Sequence, residues 1–202
     1  MLSRLVQTHP IEPRDEQFFC ALVRERELFW ANPKSLGLSK TDFDQQPFPQ
    51  EDRTVAGANF RSLSELPSVC SALKKFAEDK GFHSNRSAMV YNPMSFMRWH
   101  TNSNAPGRRH YFTFTKGKAI FRWRHPVTGK IFDEIDRCGW TYRTFIISPT
   151  QPVWHTIWTE KVRLSFGFNS SVAAPMPIPE PAPLTADELR RAAYEADPIF
   201  FK

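Results

Sequence analysis

The chain has 202 residues, of which 41% are hydrophobic and 24% charged, an ordinary composition for one well-cored globular domain with or without a tail. No apolar run approaches the ~20 residues that a membrane-spanning helix needs, and no apolar segment follows Met1 as it would in a signal peptide. The formal charge of +6 and the isoelectric point near 9.4 permit attraction to nucleic acid or another polyanion.

The first predicted helix covers residues 13–30. Pro13 is suited to a first helical turn, acidic residues follow it at the positive end of the helix, and apolar residues recur at helical spacing. Several prolines interrupt residues 31–60, which we expect to be irregular.

A second helix is predicted over residues 63–80. Ser62 and Glu65 have the spacing of a capping box, in which the two side chains satisfy free backbone amides at the start of a helix. An apolar stripe follows, and Gly81 is placed to end the helix because glycine readily adopts the left-handed conformation.

From residue 87 to residue 169 the apolar period changes from that of a helix to two, and strand-forming residues dominate. The segment 125–130 is typical of a turn. About eight short strands separated by turn signals predict a β-sandwich or a β-barrel.

The last segment, residues 171–202, begins with a proline-rich arm that predicts polyproline II structure. Thr185 and Glu188 then predict the capping box of a short C-terminal helix. The apolar end of the chain, 199–201, favours docking on this domain or on a partner protein. We therefore divide the chain into supporting helices (1–86), a β core (87–170) and this arm with its helix.

Cys20, Cys70 and Cys138 are widely spaced, include no CxxC pair and are odd in number. Free thiols in a reducing compartment are the simplest interpretation, so a cytoplasmic protein is expected, with a virion-associated one as the alternative.

Basic residues cluster between Arg98 and Arg124 with no acidic residue among them. The pattern fits a solvated strand face and a surface that meets a polyanion equally well.

His100 and His155 each lie at the edge of a strand-like run. Residues i and i+2 share a face of a strand, so Asn102 would point the same way as His100 if the strand stays regular. A neighbouring strand would have to bring His155 to the same place. Two histidines and a carboxylate on one face of Fe(II) form the facial triad of non-haem oxygenases, whereas a lone histidine on a strand is usually structural.

Residues 88–169 resemble the catalytic core of the Fe(II)/2-oxoglutarate-dependent dioxygenases, in particular the alkylation-repair, prolyl-hydroxylase and aspartyl-hydroxylase-like branches. Four motifs stand in the order of that family. They are Tyr91-Asn92-Pro93, His100-Thr101-Asn102, His155, and Arg163-Leu164-Ser165. The run Trp99-His100-Thr101-Asn102-Ser103-Asn104 is also similar to segments of small phage-encoded members.

The resemblance implies an α+β, mainly β fold: a double-stranded β-helix (jelly roll) with two N-terminal supporting helices, a proline-rich arm and a short C-terminal helix. It implies Fe(II), 2-oxoglutarate and O₂ as cofactor and cosubstrates. His100 and His155 would hold the metal, and Arg163, Ser165 and Tyr91 would bind 2-oxoglutarate.

Asn102 stands where the family has a metal-binding carboxylate. An amide oxygen is a neutral and weaker donor, and family members without this carboxylate include aspartyl-hydroxylase-like enzymes and halogenases. Asn102 could therefore act as a third metal ligand, or a two-histidine site could take water or a halide. Loss of the metal is an equally consistent interpretation.

Three hypotheses follow. The first is an Fe(II)/2-oxoglutarate-dependent oxygenase of the hydroxylase type, with a protein or a small molecule favoured as substrate. The second is a catalytically silent jelly roll that serves in assembly, for example in a virion, through the proline-rich arm. The third, ranked last because no base-reading motif is present, is a nucleic-acid-modifying dioxygenase.

Overall fold

Three helices and ten strands form the described part of the chain in the computed structural model, which covers residues 5–24, 39–49, 60–63, 66–102, 106–136, 138–148 and 150–171. The helices are α1 (Pro13–Arg24), α2 (Lys40–Gln45) and α3 (Pro67–Asp79). The strands are β1 (Val6–His9), β2 (Phe60–Ser62), β3 (Ser84–Tyr91), β4 (Ser95–His100), β5 (Gly107–Thr115), β6 (Ala119–Arg124), β7 (Ile131–Asp136), β8 (Gly139–Ile147), β9 (Trp154–Thr159) and β10 (Arg163–Ser170).

The strands form two antiparallel sheets. The larger sheet has the order β1-β8-β5-β10-β3-β2, and the smaller one has the order β4-β9-β6-β7. The predicted mainly β architecture with supporting helices is confirmed at this level, and the strands predicted after residue 87 fall within a few residues of the observed ones.

The outer face of the larger sheet is apolar and carries helices α1 and α3. Phe19 of α1 stacks on Phe166 of β10 at 5.2 Å between ring centroids, and Phe76 of α3 lies 5.3 Å from Phe168. Burial of such rings contributes strongly to stability because each removes a large apolar area from water. These contacts form the main hydrophobic core.

The opposite face of the same sheet points toward the smaller sheet and is much more polar. Because side chains alternate along a strand, β10 sends Arg163, Ser165 and Asn169 inward while its leucine and phenylalanines point outward. All three inward residues are buried. Buried polar groups need partners, so this interior is the natural place to look for a ligand site.

Helix α3 corrects one prediction and confirms another. Ser62 belongs to β2, and the helix begins at Pro67 after Leu66, which provides no side-chain cap, so the capping box predicted at Ser62 is wrong. A proline at the first helical position sets the backbone angle without losing a hydrogen bond, and it decides the start. Gly81 does end the helix, with φ of 67° and the amide of Phe82 bonded to the Ala77 carbonyl.

The segment 31–60, expected to be irregular, contains α2. Its start is a capping box in which Ser39 and Asp42 bond each other's backbone amides. Phe43 on this helix is fully buried against Ile120 and Trp158 of the smaller sheet. The described part of helix 13–30 ends at Arg24, and residues 25–38 lie outside the described residues.

All described residues belong to one compact unit, Arg4–Pro175. The predicted C-terminal helix and nearly all of the proline-rich arm lie outside the described residues. The division of the chain at residues 86 and 170 therefore stays a prediction. No described helix is long and apolar enough to cross a bilayer. The three cysteines, all within the described residues, form no disulfide, and the compartment stays a prediction.

Candidate metal centre

An irregularity in β4 aims His100 into the space between the sheets. Met97 pairs with Ile157 on β9, but the next pair along is His100 with His155, so β4 has one extra residue at this point. In a regular strand Trp99 would have occupied that position. A bulge of this kind turns the following side chain to the other face of the sheet. As a result the two histidines lie directly opposite each other on neighbouring strands.

The two imidazoles are held in matching orientations. Their ring centroids are 4.1 Å apart, and each Nδ1 lies close to the carbonyl oxygen two residues earlier, at 2.8 Å from Arg98 and 3.1 Å from Val153. A carbonyl only accepts, so each Nδ1 carries the proton and each Nε2 keeps its lone pair. This arrangement is the one that a metal-binding histidine requires.

Both histidines are neutral at physiological pH. Burial lowers the pKa of His100 to about 4, and burial together with His100 lowers the pKa of His155 well below its usual value. Rings of Phe121, Phe145 and Tyr111 surround His155 at centroid distances of 5.1, 5.3 and 6.4 Å. The site therefore combines two uncharged nitrogen donors with an aromatic wall that excludes water.

Asn102 lies beside the histidines, although it follows the end of β4. Its Nδ2 is 3.4 Å from Nε2 of His155 and 3.5 Å from the Tyr111 hydroxyl. Its Oδ1 accepts a hydrogen bond of 2.8 Å from Nη2 of Arg109. Because a guanidinium can only donate, Arg109 fixes the amide with its oxygen turned away from the histidines. Coordination by Asn102 would require the amide to rotate and give up this bond.

Arg109 is a buried cation whose side-chain hydrogen bonds go to two amides, and its guanidinium lies over the Tyr111 ring at 5.2 Å. Nη1 donates to Oδ1 of Asn169 at 2.7 Å, Nη2 donates to Asn102, and Nε has no partner. The side chain is 4% exposed, and no carboxylate among the described residues pairs with it. A fixed positive charge thus lies directly behind Asn102, on the side of the amide away from His155.

Arg163 is buried inside the sandwich and already has a carboxylate partner, Asp136 at the end of β7. Its Nε and Nη2 donate to Oδ2 of Asp136 at 3.2 and 3.1 Å. Arg143 of β8 donates from Nη2 to Oδ1 of the same carboxylate at 2.7 Å. Burial alone would raise the pKa of Asp136, but the two guanidinium groups outweigh it and hold the pKa below its usual value.

The remaining residues predicted to contact the cosubstrate are both buried. The Arg163 guanidinium lies over the Tyr91 ring at 5.3 Å, and the Tyr91 hydroxyl points to Sδ of Met97 at 3.7 Å. Burial raises the pKa of the Tyr91 phenol. Ser165 shares the inward face of β10 with Arg163 and sits opposite Thr113 of β5.

The structure thus brings the predicted residues together in two groups inside the sandwich. His100, His155 and Asn102 form the first group, and Arg163 and Tyr91 belong to the second, which Asp136 and Arg143 complete. Sequence reasoning missed four residues of this interior, namely Arg109, Tyr111, Asp136 and Arg143. The signal that could have found Arg109 and Tyr111 is the alternation along β5, where they share a face with Thr113 and Thr115.

The basic stretch from Arg98 to Arg124 is not one surface. Arg98 is exposed, but Arg109 is buried in the interior, and Arg122 is bound by two carboxylates, Asp133 and Asp44. Carboxylates from α2 and β7 neutralise the charge of Arg122, which looked unopposed in the sequence. This arrangement does not favour the polyanion-facing interpretation of the stretch.

The donors fit a metal bound by two histidines and an anionic ligand better than they fit a complete triad. No group of three or more His, Cys, Asp or Glu side chains in the described residues could hold a metal ion. Among the described residues of the same interior, three buried arginines face one buried aspartate, an excess of +2. Guanidinium groups stay protonated, so this excess favours an anionic ligand.

Gly167 allows Tyr111 to lie flat across the larger sheet. A Cβ at this position would stand 2.8 Å from Cε1 of Tyr111 and would also collide with Oγ of Ser87. We expect Gly167→Ala to lower the free energy of unfolding by about 1–3 kcal/mol, as overpacking in cores does. Because Tyr111 contacts Asn102 and His155, metal affinity should fall too. Urea unfolding and metal titration measure both effects, and a variant as stable as the wild type would contradict the close packing.

No protein-family model and no curated protein matches the chain. Among solved structures, a prolyl-4-hydroxylase from Pseudomonas putida is 16% identical with a TM-score of 0.45, over 82% of this chain and 91% of that one. A Trichoplax adhaerens prolyl hydroxylase, solved with a peptide fragment of the hypoxia inducible factor oxygen degradation domain, is 12% identical with a TM-score of 0.44, over 83% and 84%.

A further neighbour is the ribosomal oxygenase YcfD from Escherichia coli, solved with cobalt and 2-oxoglutarate. It is 13% identical with a TM-score of 0.37, and the match covers 78% of this chain and 51% of that one. At these identities and TM-scores the likeness carries no argument about function, so a functional conclusion has to rest on the site itself.

Proposed function

We propose that this chain is an Fe(II)/2-oxoglutarate-dependent oxygenase of the hydroxylase type. The observation that carries the proposal is the pair His100 and His155, opposite each other on β4 and β9, with both Nδ1 atoms bound to carbonyls. Two neutral imidazoles whose other ring nitrogens are bound to carbonyls have the form in which histidine binds a metal. Imidazole nitrogen is a suitable ligand for iron, and the vacant positions allow other ligands to bind.

The strand order supports the same proposal. The eight consecutive strands β3 to β10 are divided between the two sheets, four to each. Their order is β8-β5-β10-β3 in the larger sheet and β4-β9-β6-β7 in the smaller one. Chain-adjacent strands mostly alternate between the sheets, as they do when a hairpin is wound into a double-stranded β-helix. We infer that β3 to β10 are this core, and that α1 and α3 support it from outside.

The predicted site residues bind either the metal or the cosubstrate. His100 and His155 hold the metal, while Arg163, Ser165 and Tyr91 bind the 2-oxoglutarate. Bound Fe(II), with 2-oxoglutarate and O₂, supplies the oxidising power to hydroxylate a C–H bond. The aromatic rings around His155 keep water out of the site, which strengthens its electrostatic interactions.

Asn102 then lines the third protein position. In the observed orientation its NH₂ group faces His155, so that position is left to water or to an exogenous anion. Asn102 acts as a ligand itself only after its oxygen leaves Arg109. We propose a protein or a small molecule as the substrate in preference to nucleic acid, since Arg109 is buried and Arg122 is paired with two carboxylates.

Anaerobic titration with Fe(II) and 2-oxoglutarate tests the proposal. We expect the weak visible charge-transfer band of a chelated 2-oxo acid in the wild type and its loss in His100→Gln and His155→Gln. The matched control is His83→Gln, an exposed histidine before β3, which should keep the band. A wild-type protein with no band and no iron by elemental analysis would overturn the proposal.

The second candidate is a catalytically silent jelly-roll module used in assembly. Its specific support is the bond from Arg109 to Asn102, which fixes an amide, with its oxygen turned away from His155, where a metal-binding carboxylate would stand. The same titration decides between the two functions. Absence of iron, together with loss of a protein complex on deletion of residues 175–202, would support the module.

A further inference from the structure

The buried ionic cluster of Asp136, Arg143 and Arg163 has more donors than acceptors. Oδ2 of Asp136 receives Nε and Nη2 of Arg163, and Oδ1 receives Nη2 of Arg143. Nη1 of Arg163 and both Nε and Nη1 of Arg143 are buried without any hydrogen-bond partner. Unmade bonds of this kind are costly in a closed interior, so each of these N–H groups needs a partner that the described side chains do not supply.

One binding edge of Arg163 is already occupied. The edge formed by Nε and Nη2, which suits a planar carboxylate, is directed to Asp136. A further carboxylate would have to bind to Nη1 and to the second hydrogen of Nη2. The predicted anchor of 2-oxoglutarate is therefore partly engaged by a side chain of the protein itself.

Arg143 has the larger free capacity, and aromatic contacts connect it to His155. It is 1% exposed, its guanidinium covers the Phe121 ring at 4.8 Å, and Phe121 stacks on His155 at 5.1 Å. On β5 the residue that pairs with Arg143 is Tyr111, whereas Arg163 pairs with Thr115. These two positions are four residues apart, or roughly 13 Å along the strand.

The charge of the cluster points to one additional carboxylate. Two guanidinium groups and one carboxylate give a net charge of +1. The three residues of the cluster are each only 1% exposed. Arginine cannot release its proton in a protein, and no second carboxylate among the described residues pairs with the cluster, so the charge favours binding of an anion. A single carboxylate group would balance the charge and could accept the unused N–H groups.

We propose that Arg143 and Arg163 form a two-arginine site for the distal carboxylate of a 2-oxo dicarboxylic acid, and that Asp136 is the fixed counter-ion that holds both guanidinium groups in place. The identity of the ligand as 2-oxoglutarate rests on the proposed function. Arg143 is then a cosubstrate-binding residue, and Asp136 is a positioning residue.

Calorimetric titration with two probes tests the assignment. 2-Oxoglutarate carries the distal carboxylate, and 2-oxobutyrate is a similar 2-oxo acid that lacks it. We expect Arg143→Gln to weaken binding of 2-oxoglutarate by about tenfold or more, the loss of a charge-assisted contact, and to leave binding of 2-oxobutyrate unchanged. The variant should fold, because Asp136 keeps Arg163 as a one-to-one partner.

Arg122→Gln is the matched control, since Arg122 also binds a carboxylate through Nε and Nη2 but lies on β6 away from the cluster. It should leave both affinities unchanged. The proposal is overturned if Arg143→Gln binds 2-oxoglutarate as tightly as the wild type, or loses both probes equally, or if the wild type binds no 2-oxoglutarate.

These outcomes separate the inference from the function on which it rests. A charge-transfer band in the wild type with an unaffected Arg143→Gln variant removes the two-arginine site and leaves the oxygenase intact. Binding of 2-oxoglutarate that depends on Arg143, with no iron and no band, retains the anion site and removes the oxygenase.

Discussion

Asn102→Asp should tighten binding of Fe(II) by about tenfold or more, equivalent to ~1.4 kcal/mol. The amide has its oxygen on Arg109 at 2.8 Å and its nitrogen 3.4 Å from Nε2 of His155. A carboxylate of the same shape would keep the bond to Arg109 with one oxygen and present the second oxygen to the histidines. It would therefore complete the facial triad without rotation, and its charge would compensate both Arg109 and the metal.

Competition with a metal-sensitive dye, using Co(II) or anaerobic Fe(II), measures the change. Asn169→Asp is the matched control, because Asn169 binds the same guanidinium through Nη1 at 2.7 Å. It adds the same charge next to Arg109 at the other guanidinium nitrogen. An equal gain in metal affinity in both variants would mean that the added negative charge acts on the metal from a distance, without binding it. No gain in Asn102→Asp would mean that the two histidines do not form a metal site.

The strands and the inward direction of Arg163 could be predicted because each depends on local pattern. Period-two alternation assigns residues to faces of a strand, and an arginine flanked by apolar neighbours in such a strand needs an anionic partner. The partner itself could not be predicted. Asp136 lies in a different strand, and pairing between distant strands is a property of the whole topology.

The orientations of His100 and Asn102 could not be predicted from local pattern either. Regular alternation from Met97, which faces inward, would have turned Trp99 to the interior, and only the bulge reverses this. The direction of the Asn102 amide depends on Arg109, which the sequence suggested was part of a basic surface. The sequence could predict which residue types lie near the site. It could not predict the contacts that decide their chemistry, because these come from the distant strands β5, β7 and β8.

Asp136→Asn should lower the free energy of unfolding by about 3–5 kcal/mol at neutral pH, as loss of one partner of a buried ion pair does. The variant would leave Arg143 and Arg163 buried at 1% exposure with no opposing charge. Urea unfolding at pH 7 measures the loss. The matched control is Asp133→Asn, which breaks an equally short pair with Arg122 that is partly open to solvent. We expect a loss below about 1 kcal/mol there, because water screens an exposed pair.

The pH dependence of the same variant provides an independent check. The two arginines hold the pKa of Asp136 below its usual value, so the carboxylate contributes stability above the pKa of an unfolded aspartate, near 3.9, and loses it as the pH falls through the lower folded value. The difference between wild type and Asp136→Asn should therefore be constant above about pH 5 and shrink in stronger acid. A difference that stays constant down to pH 2, or a variant as stable as the wild type at pH 7, would mean that the excess positive charge is already compensated in another way. In that case the free guanidinium N–H groups would no longer indicate a carboxylate ligand, and the two-arginine site would lose its main physical support.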